Sequence, residues 1–217
     1  MRVVRRVEVG KPFAEIESLL SVRLWPDDYL SSLKSDKLIY RSDLEGTISA
    51  IVLDLPSSVE TVCTDEARGW HRSDETLFAI ATGNIAQNPL PAAEEHDLNG
   101  LKLFGFLGQS FFVASHALVL HEHPECLGPH GTLVAVPHRH ALLCAPIHDM
   151  SVAAGLGQFV SIALGMFKEG PGSITPNVYR YQMGRYLNLP YELGDSELRL
   201  SPPDEFVSML NTLSPAK

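Results

Sequence analysis

Histidine is the residue type whose number and spacing most suggest chemistry in this sequence. Most of the nine histidines fall within residues 116–148, and imidazole is a natural ligand of zinc. His138 and His140 would share one face of a strand, because side chains alternate with a period of two. His121 and His123 would do the same in an extended segment. These four histidines are therefore the candidate ligands of a zinc site.

The same histidines also fit a histidine-rich surface loop and a hairpin turn that bind no metal. The sequence contains no HExxH or CxxC pattern. His121 and His123 flank Glu122, but Pro124 follows at once and would end a helix there. The primary expectation is thus a chain without a cofactor, and zinc is the alternative.

Nucleophilic and phosphate-transfer motifs are weak in this sequence. Cys63, Cys126 and Cys144 have histidines nearby in the chain, but no spacing marks an activated pair. There is no GxSxG elbow. Gly155 and Gly157 lie in an apolar run without the Lys-Ser or Lys-Thr of a phosphate loop. The motifs therefore favour a protein that is not an enzyme.

A tyrosine- and arginine-rich segment near the carboxyl end is the candidate binding site. It consists of Tyr179, Arg180, Tyr181, Arg185 and Tyr186. Tyrosine and arginine are enriched at the energetically important centres of protein interfaces. An exposed edge strand can also pair with a strand of another chain. This segment predicts a protein–protein contact, and a homodimer is one form of it.

Composition and charge narrow the classes of partner and compartment. The chain has 217 residues, a formal net charge of -9 and a pI near 5.4. Such an acidic chain disfavours nucleic acid and anionic membrane surfaces as partners. Three cysteines without motif spacing, and no apolar leader, predict a reducing cytoplasm. The apolar stretch 150–167 is expected to be a core helix rather than a membrane span.

Apolar periodicity predicts the elements that must position these residues. The predicted strands cover residues 46–54, 59–63, 101–106, 110–113, 132–136, 141–145, 178–182 and 186–189. The predicted helices cover residues 12–33 with a break at Pro26, a segment after the cap Ser73, and residues 115–121, 150–167 and 204–213. Residues 89–100 are expected to form a loop, and residues 101–106 and 110–113 a hairpin.

The mixture of helices and antiparallel pairs predicts an α+β fold, with a mostly antiparallel sheet and helices packed on it. The whole chain, 1–217, is expected to form a single domain. Within it, residues 1–45 form a helical lead-in, 46–191 the core, and 192–217 a tail that contains a helix.

Several segments, taken in order, resemble the YtpQ-like family, a group of bacterial proteins defined as a domain of unknown function. The segments are Ile51–Leu55, Ala79–Asn84, Thr132–His138 with Ala141–Cys144, Leu156–Gln158, Ile174–Pro176 and Tyr181–Arg185. This chain has His140 where the family tends to have an acidic residue. The resemblance implies a bacterial cytoplasmic protein and supplies no catalytic residues. The leading hypothesis is a binding or regulatory module that acts through protein contact, and a metal-binding protein or metal-dependent enzyme is the alternative.

Overall fold

The computed structural model describes residues 12–32, 37–194 and 198–216. The strands are β1 (Leu20–Pro26), β2 (Tyr40–Arg41), β3 (Thr47–Leu55), β4 (Ser58–Thr61), β5 (Ala93–Leu98), β6 (Leu101–Leu107), β7 (Thr132–Ala135), β8 (Ala141–Pro146), β9 (Val178–Gln182), β10 (Arg185–Asn188), β11 (Tyr191–Leu193) and β12 (Leu198–Leu200). The α-helices are α1 (Phe13–Ile16), α2 (Tyr29–Ser32), α3 (Thr64–Arg68), α4 (Asp74–Gln87), α5 (Ser151–Glu169) and α6 (Asp204–Leu210). Further 3-10 helices cover Glu17–Leu19, Ala114–Glu122 and Pro124–Cys126. Helices combined with antiparallel sheets confirm the predicted α+β class.

The first sheet shows that the predicted helix over residues 12–33 is wrong. Only α1, α2 and one 3-10 turn are helical there, and β1 pairs antiparallel with β3 from Leu20 opposite Leu53 to Pro26 opposite Thr47. Leu20 and Leu24 fit a period of two as well as a helical spacing, so the sequence alone does not separate the two structures. The hydrogen-bonding partner β3 decides for the strand.

The second sheet carries the regions singled out in the sequence. Its six strands run in the order β10-β9-β7-β8-β6-β5. The predicted pairing of residues 132–136 with 141–145 is confirmed by β7 and β8. The predicted strands 178–182 and 186–189 are confirmed by β9 and β10, which pair as a hairpin around Gly184.

Strand β5 lies where a loop was predicted. It pairs with β6 through a two-residue turn, in which Asn99 and Gly100 have φ values of 57° and 89°. Asn-Gly is the strongest local signal for such a turn. Glu94, Glu95 and Asp97 carry no apolar periodicity and stay exposed, so apolar patterning cannot reveal this strand.

The predicted pairing of residues 101–106 with 110–113 is also wrong. Strand β6 instead pairs with β5 on one side and with β8 on the other. Residues 110–113 form a turn that leads into the long 3-10 helix. Strand β8, which is distant in the chain, pairs with Phe104–Leu107 at the end of β6 where the hairpin was predicted.

Alternate residues of the six-stranded sheet pack into two cores. One face, with Leu133 and Leu143, is covered by α5 and α6. The other face, with Val134 and Leu142, is covered by the 3-10 helix Ala114–Glu122 and by residues that precede β3. The sheet is therefore the central layer, and its inner strands are buried on both faces.

Helix α5 begins and ends close to the predicted positions and packs one face on the sheet. Val152, Leu156, Phe159 and Val160 belong to the core on that face. The helix is also long and apolar enough, by length and composition only, to cross a membrane. The packing of its buried face agrees with the prediction of a core helix.

The two larger sheets join at residues just before β3. The backbone carbonyl of Glu45 accepts hydrogen bonds from the Tyr179 hydroxyl at 2.5 Å and from Asn177 Nδ2 at 3.2 Å. The Glu45 carboxylate accepts another from Asn188 Nδ2 at 2.9 Å. The predicted lead-in ending at residue 45 is therefore no separate unit, because β1 and β2 belong to the same sheet as β3.

Candidate interaction site

The hairpin β9–β10 ends in a strained turn. Met183 and Gly184 have φ values of 48° and 79°. Glycine and asparagine tolerate such angles, whereas a side chain such as methionine is strained there. The Met183 side chain is nevertheless 96% exposed, so no packing in the described structure offsets this strain. Backbone strain that packing does not offset is found preferentially at functional positions.

The tyrosines of the predicted binding segment lie in the core rather than on the surface. Tyr179 and Tyr181 are buried, and Tyr186 packs against the same core cluster. The Tyr186 hydroxyl donates to the Ala117 carbonyl at 2.5 Å. Burial raises the pKa of Tyr179 to about 12 and holds that of Tyr186 well above its ordinary value. The expected tyrosine-lined surface is corrected accordingly, because the rings fill the core under the 3-10 helix.

The two arginines of the segment have different environments. Arg180 is buried, and its Nε donates to the His130 carbonyl at 2.9 Å. Arg185 is exposed and forms an ion pair with Glu205 in the first turn of α6. Arg180 reaches the same carboxylate at 3.5 Å. Through these contacts the two arginines connect α6 and the 128–131 loop to the hairpin.

A groove of about 460 Å³ lies beside the hairpin turn. It is lined by His121, Leu127, Gly128, Pro129, Gly131, Thr132, Tyr181, Gln182, Met183 and Gly184. Leu127 and Met183 are among the few large apolar side chains that the described residues expose. The groove is therefore an apolar recess, and Met183 lies at its rim.

Hydrogen bonds and close packing fix the wall of the groove opposite Met183. Thr132 Oγ1 donates to the Cys126 carbonyl at 2.5 Å and accepts from the Gly128 amide at 3.2 Å. A Cβ atom at Gly128 would lie 2.4 Å from the Ile147 amide nitrogen. This wall is pre-formed, which lowers the entropic cost of binding a ligand.

The two edges of the six-stranded sheet differ in how they are protected. Strand β5 carries Glu94, Glu95 and Asp97, and charged residues of this kind discourage pairing with another strand. Strand β10, which begins directly after the turn residues Met183 and Gly184 at the groove, carries a single charge, on Arg185. Within the described residues no strand pairs with its outer edge. The β10 edge is therefore the one open to β-strand addition.

The structure separates the four candidate zinc ligands. His121 is exposed at the groove, 3.3 Å from the Glu122 carboxylate. His123 forms a hydrogen bond of 3.0 Å between its Nε2 and His116 Nδ1. His138 and His140 lie on the β7–β8 turn, with ring centroids 6.5 Å apart. In the described part of the chain, no three His, Cys, Asp or Glu side chains are grouped so that they could hold a metal. The zinc hypothesis stays a prediction.

The cysteines are placed as small apolar residues. Cys126 and Cys144 are both fully buried in the core on the 3-10 helix side. Burial raises the pKa of the Cys144 thiol well above its ordinary value, which opposes formation of the nucleophilic thiolate. Cys126 lies in a proline- and glycine-rich stretch of the sequence, a composition typical of surface loops. Its backbone contact with Thr132 draws it into the core instead.

Sequence reasoning found the hairpin but missed the groove. The signal available for it was Met183-Gly184, an apolar residue at a position where a two-residue turn favours asparagine. No protein-family model matches the chain, and no curated protein or solved structure is significantly similar to it. The resemblance to the YtpQ-like family therefore stays a prediction.

Proposed function

We propose that the protein is a non-enzymatic interaction module that binds an extended segment of a partner protein. The segment pairs with β10, and one of its apolar side chains enters the groove beside Met183. The observation that carries the proposal is the exposed, strained Met183 at the rim of that groove. A bacterial cytoplasmic location belongs to the same proposal, supported by the free cysteines Cys63, Cys126 and Cys144.

The arrangement matches the physical requirements of strand addition. Backbone hydrogen bonds to an open edge supply affinity, and a side-chain pocket supplies specificity. A few residues that are packed in desolvated pockets near the centre of an interface contribute most of the binding energy. A second copy of the chain is one such partner. In a two-fold symmetric dimer the two β10 strands would run antiparallel to each other, as in an ordinary β-ladder.

Site-specific photo-crosslinking in cells that naturally produce the protein tests this proposal. A photoreactive phenylalanine analogue replaces Met183 in one strain. In the control strain it replaces Leu193, which is 56% exposed. We expect a discrete cross-linked protein from position 183 and none from position 193. Identical products from both positions, or no product from position 183, would contradict the proposal.

Sedimentation and affinity measurements then identify the occupant. A dimer that Met183→Asn dissociates would make the second copy the partner. For another captured protein, we expect Met183→Asn to weaken binding by about tenfold or more, the effect of losing one important apolar contact. Leu193→Asn should leave the affinity unchanged.

A further inference from the structure

The β7–β8 turn, residues 137–140, holds three basic side chains in fixed positions. Arg139 Nε donates to His140 Nε2 at 3.0 Å. His140 Nδ1 therefore carries the ring proton and donates to the Ser110 carbonyl at 2.9 Å. His138 Nδ1 accepts from the His140 amide at 3.3 Å, so the Nε2 of a neutral His138 ring carries its proton. These bonds leave two potential donors on the turn: the outer nitrogens of Arg139 and Nε2 of His138.

Arg139 differs from the arginines that form ion pairs. Arg41 and Arg68 each contact an aspartate, and Arg185 contacts Glu205. Among the described residues, no carboxylate lies within ion-pair distance of Arg139, and its Nη atoms donate no hydrogen bond. The side chain is half-buried, and its guanidinium lies 4.9 Å from the centroid of the Phe111 ring. Its charge is thus held in place without being neutralised.

A second guanidinium adds positive charge beside the first. Arg23 of β1 is buried, and its guanidinium carbon lies 5.3 Å from the same Phe111 ring and 3.8 Å from that of Trp25. Tyr29 stacks on Trp25 with centroids 4.1 Å apart. Aromatic faces attract and stabilise a nearby cation. Two guanidinium groups therefore gather around one ring in a chain of net charge -9.

Packing between the two sheets accounts for part of this group of arginine and aromatic side chains. The contact of Arg23 with Trp25 and Phe111 joins β1 to the turn that follows β6. It supplies no hydrogen-bond acceptor to the Nη groups of Arg139 among the described residues. The Nη1 atom of Arg139 lies against Gly172, and neither Nη atom has a hydrogen-bond acceptor among the described residues. A guanidinium held by its Nε in this way is pre-organised to donate to an oxyanion.

We infer that the 137–140 turn binds a phosphate group, with Arg139 as its principal contact. His138 Nε2 is a further donor on the same turn, and a tetrahedral oxyanion offers more acceptors than a carboxylate. Phe111, which contacts the Arg139 guanidinium, would lie beside the substituent of the phosphate, so the ligand class is a small phosphate monoester with an aromatic group. This site is independent of the proposed interaction groove, because the two lie at opposite ends of β7.

Calorimetric titration with inorganic phosphate, phenyl phosphate and acetate at constant ionic strength tests this inference. We expect saturable binding in the order phenyl phosphate, phosphate, acetate. Arg139→Gln should weaken phosphate binding by about tenfold or more, the usual effect of losing a charge-assisted hydrogen bond. The matched control is Arg72→Gln, because Arg72 also lies over an aromatic ring, 5.0 Å from Phe13, and forms no ion pair among the described residues.

Each outcome decides a separate part of the inference. Phosphate binding that Arg139→Gln weakens by about tenfold or more and Arg72→Gln preserves supports the inference. Equal affinity for phosphate and phenyl phosphate retains the phosphate site but removes the aromatic monoester as its ligand. Absence of saturable phosphate binding, or equal loss in both variants, overturns the site. Circular dichroism and the variant Arg139→Lys, which keeps the charge without the fork, separate loss of binding from loss of folding.

Discussion

At the scale of single residues, the hydrogen-bonded pair of His116 and His123 makes the stability of the fold depend on pH. His116 is 2% exposed and shares one hydrogen bond with His123. Burial, and then the neighbouring His123, lower the pKa of His116 to about 4. Burial also lowers the pKa of His123. The bond requires one imidazole nitrogen to accept, so protonation of both rings is incompatible with it.

The sign of the resulting pH dependence follows from this lowered pKa. Between pH 6.5 and about 4 the unfolded chain binds the proton on His116 and the folded chain does not. The free energy of unfolding should therefore be highest above pH 6.5 and fall by about 3 kcal/mol as pH drops toward 4. Urea denaturation at a series of pH values measures this. His116→Gln should remove most of the slope, whereas a slope unchanged in that variant would contradict the assignment. His121→Gln is the exposed control.

Asn84 on α4 is a second residue whose side chain we expect to contribute to the free energy of unfolding. Its Nδ2 donates to the Glu17 carbonyl at 2.9 Å and to the Leu20 carbonyl at 2.8 Å, at the start of β1. Asn84→Asp removes the donor and should lower the free energy of unfolding by about 1–3 kcal/mol. Chemical denaturation measures the change. The exposed Gln87→Glu, one turn along the same helix, should have little effect. Similar losses in both variants would point to added charge on α4 instead.

At the scale of elements, substitutions at two glycines of α5 distinguish the effect of packing on stability from the effect of helix propensity. A Cβ atom at Gly155 would lie 2.6 Å from the Leu98 carbonyl and 2.7 Å from the Leu101 Cβ, whereas one at Gly157 meets nothing within 4 Å. Gly155→Ala should lower the midpoint of thermal unfolding. Gly157→Ala should raise the stability by about 0.5–1 kcal/mol, because alanine is the better helix former. Stabilisation by both substitutions would show that α5 does not lie so close to the β5–β6 turn.

The β9–β10 turn gives an element-scale prediction that joins stability to function. Asparagine suits the positive φ of position 183 better than methionine, so Met183→Asn should stabilise the fold by about 0.5 kcal/mol. The same change should weaken partner binding. Differential scanning calorimetry measures the first effect. A destabilised variant would show that Met183 packs within the chain, and the argument for a binding surface would fail.

At the scale of the whole molecule, the contacts of Glu45 with Tyr179 and Asn177 predict that the two larger sheets unfold together. Trp25 and Trp70 both belong to the half of the chain before β5, so tryptophan fluorescence reports on that half alone. We expect its thermal transition to coincide with that of far-ultraviolet circular dichroism, as for a single domain. Tyr179→Phe should shift both transitions equally. A fluorescence transition at a separate temperature would indicate two domains.

Sequence patterning by itself determined the α+β class, the β7–β8 and β9–β10 pairs, the cap Ser73 of α4 and the extent of α5. These depend on local signals: apolar runs, turn residues and a capping side chain that accepts from the Thr76 amide. The Asn99-Gly100 turn carries the same kind of signal, so β5 was also within reach of the sequence.

Only the tertiary structure decided between strand and helix for Leu20–Pro26, because the partner β3 is distant in the chain. It also decided the exposure of the candidate sites. The sequence shows that Tyr179, Arg180 and Tyr181 alternate along a strand. It does not show which face of that strand the 3-10 helix covers. The separation of His116 and His123 from His138 and His140 likewise depends on the sheet order, which no local pattern specifies. The surroundings of Met183 and of Arg139, the residues on which the two proposals rest, are also set by segments far away in the chain.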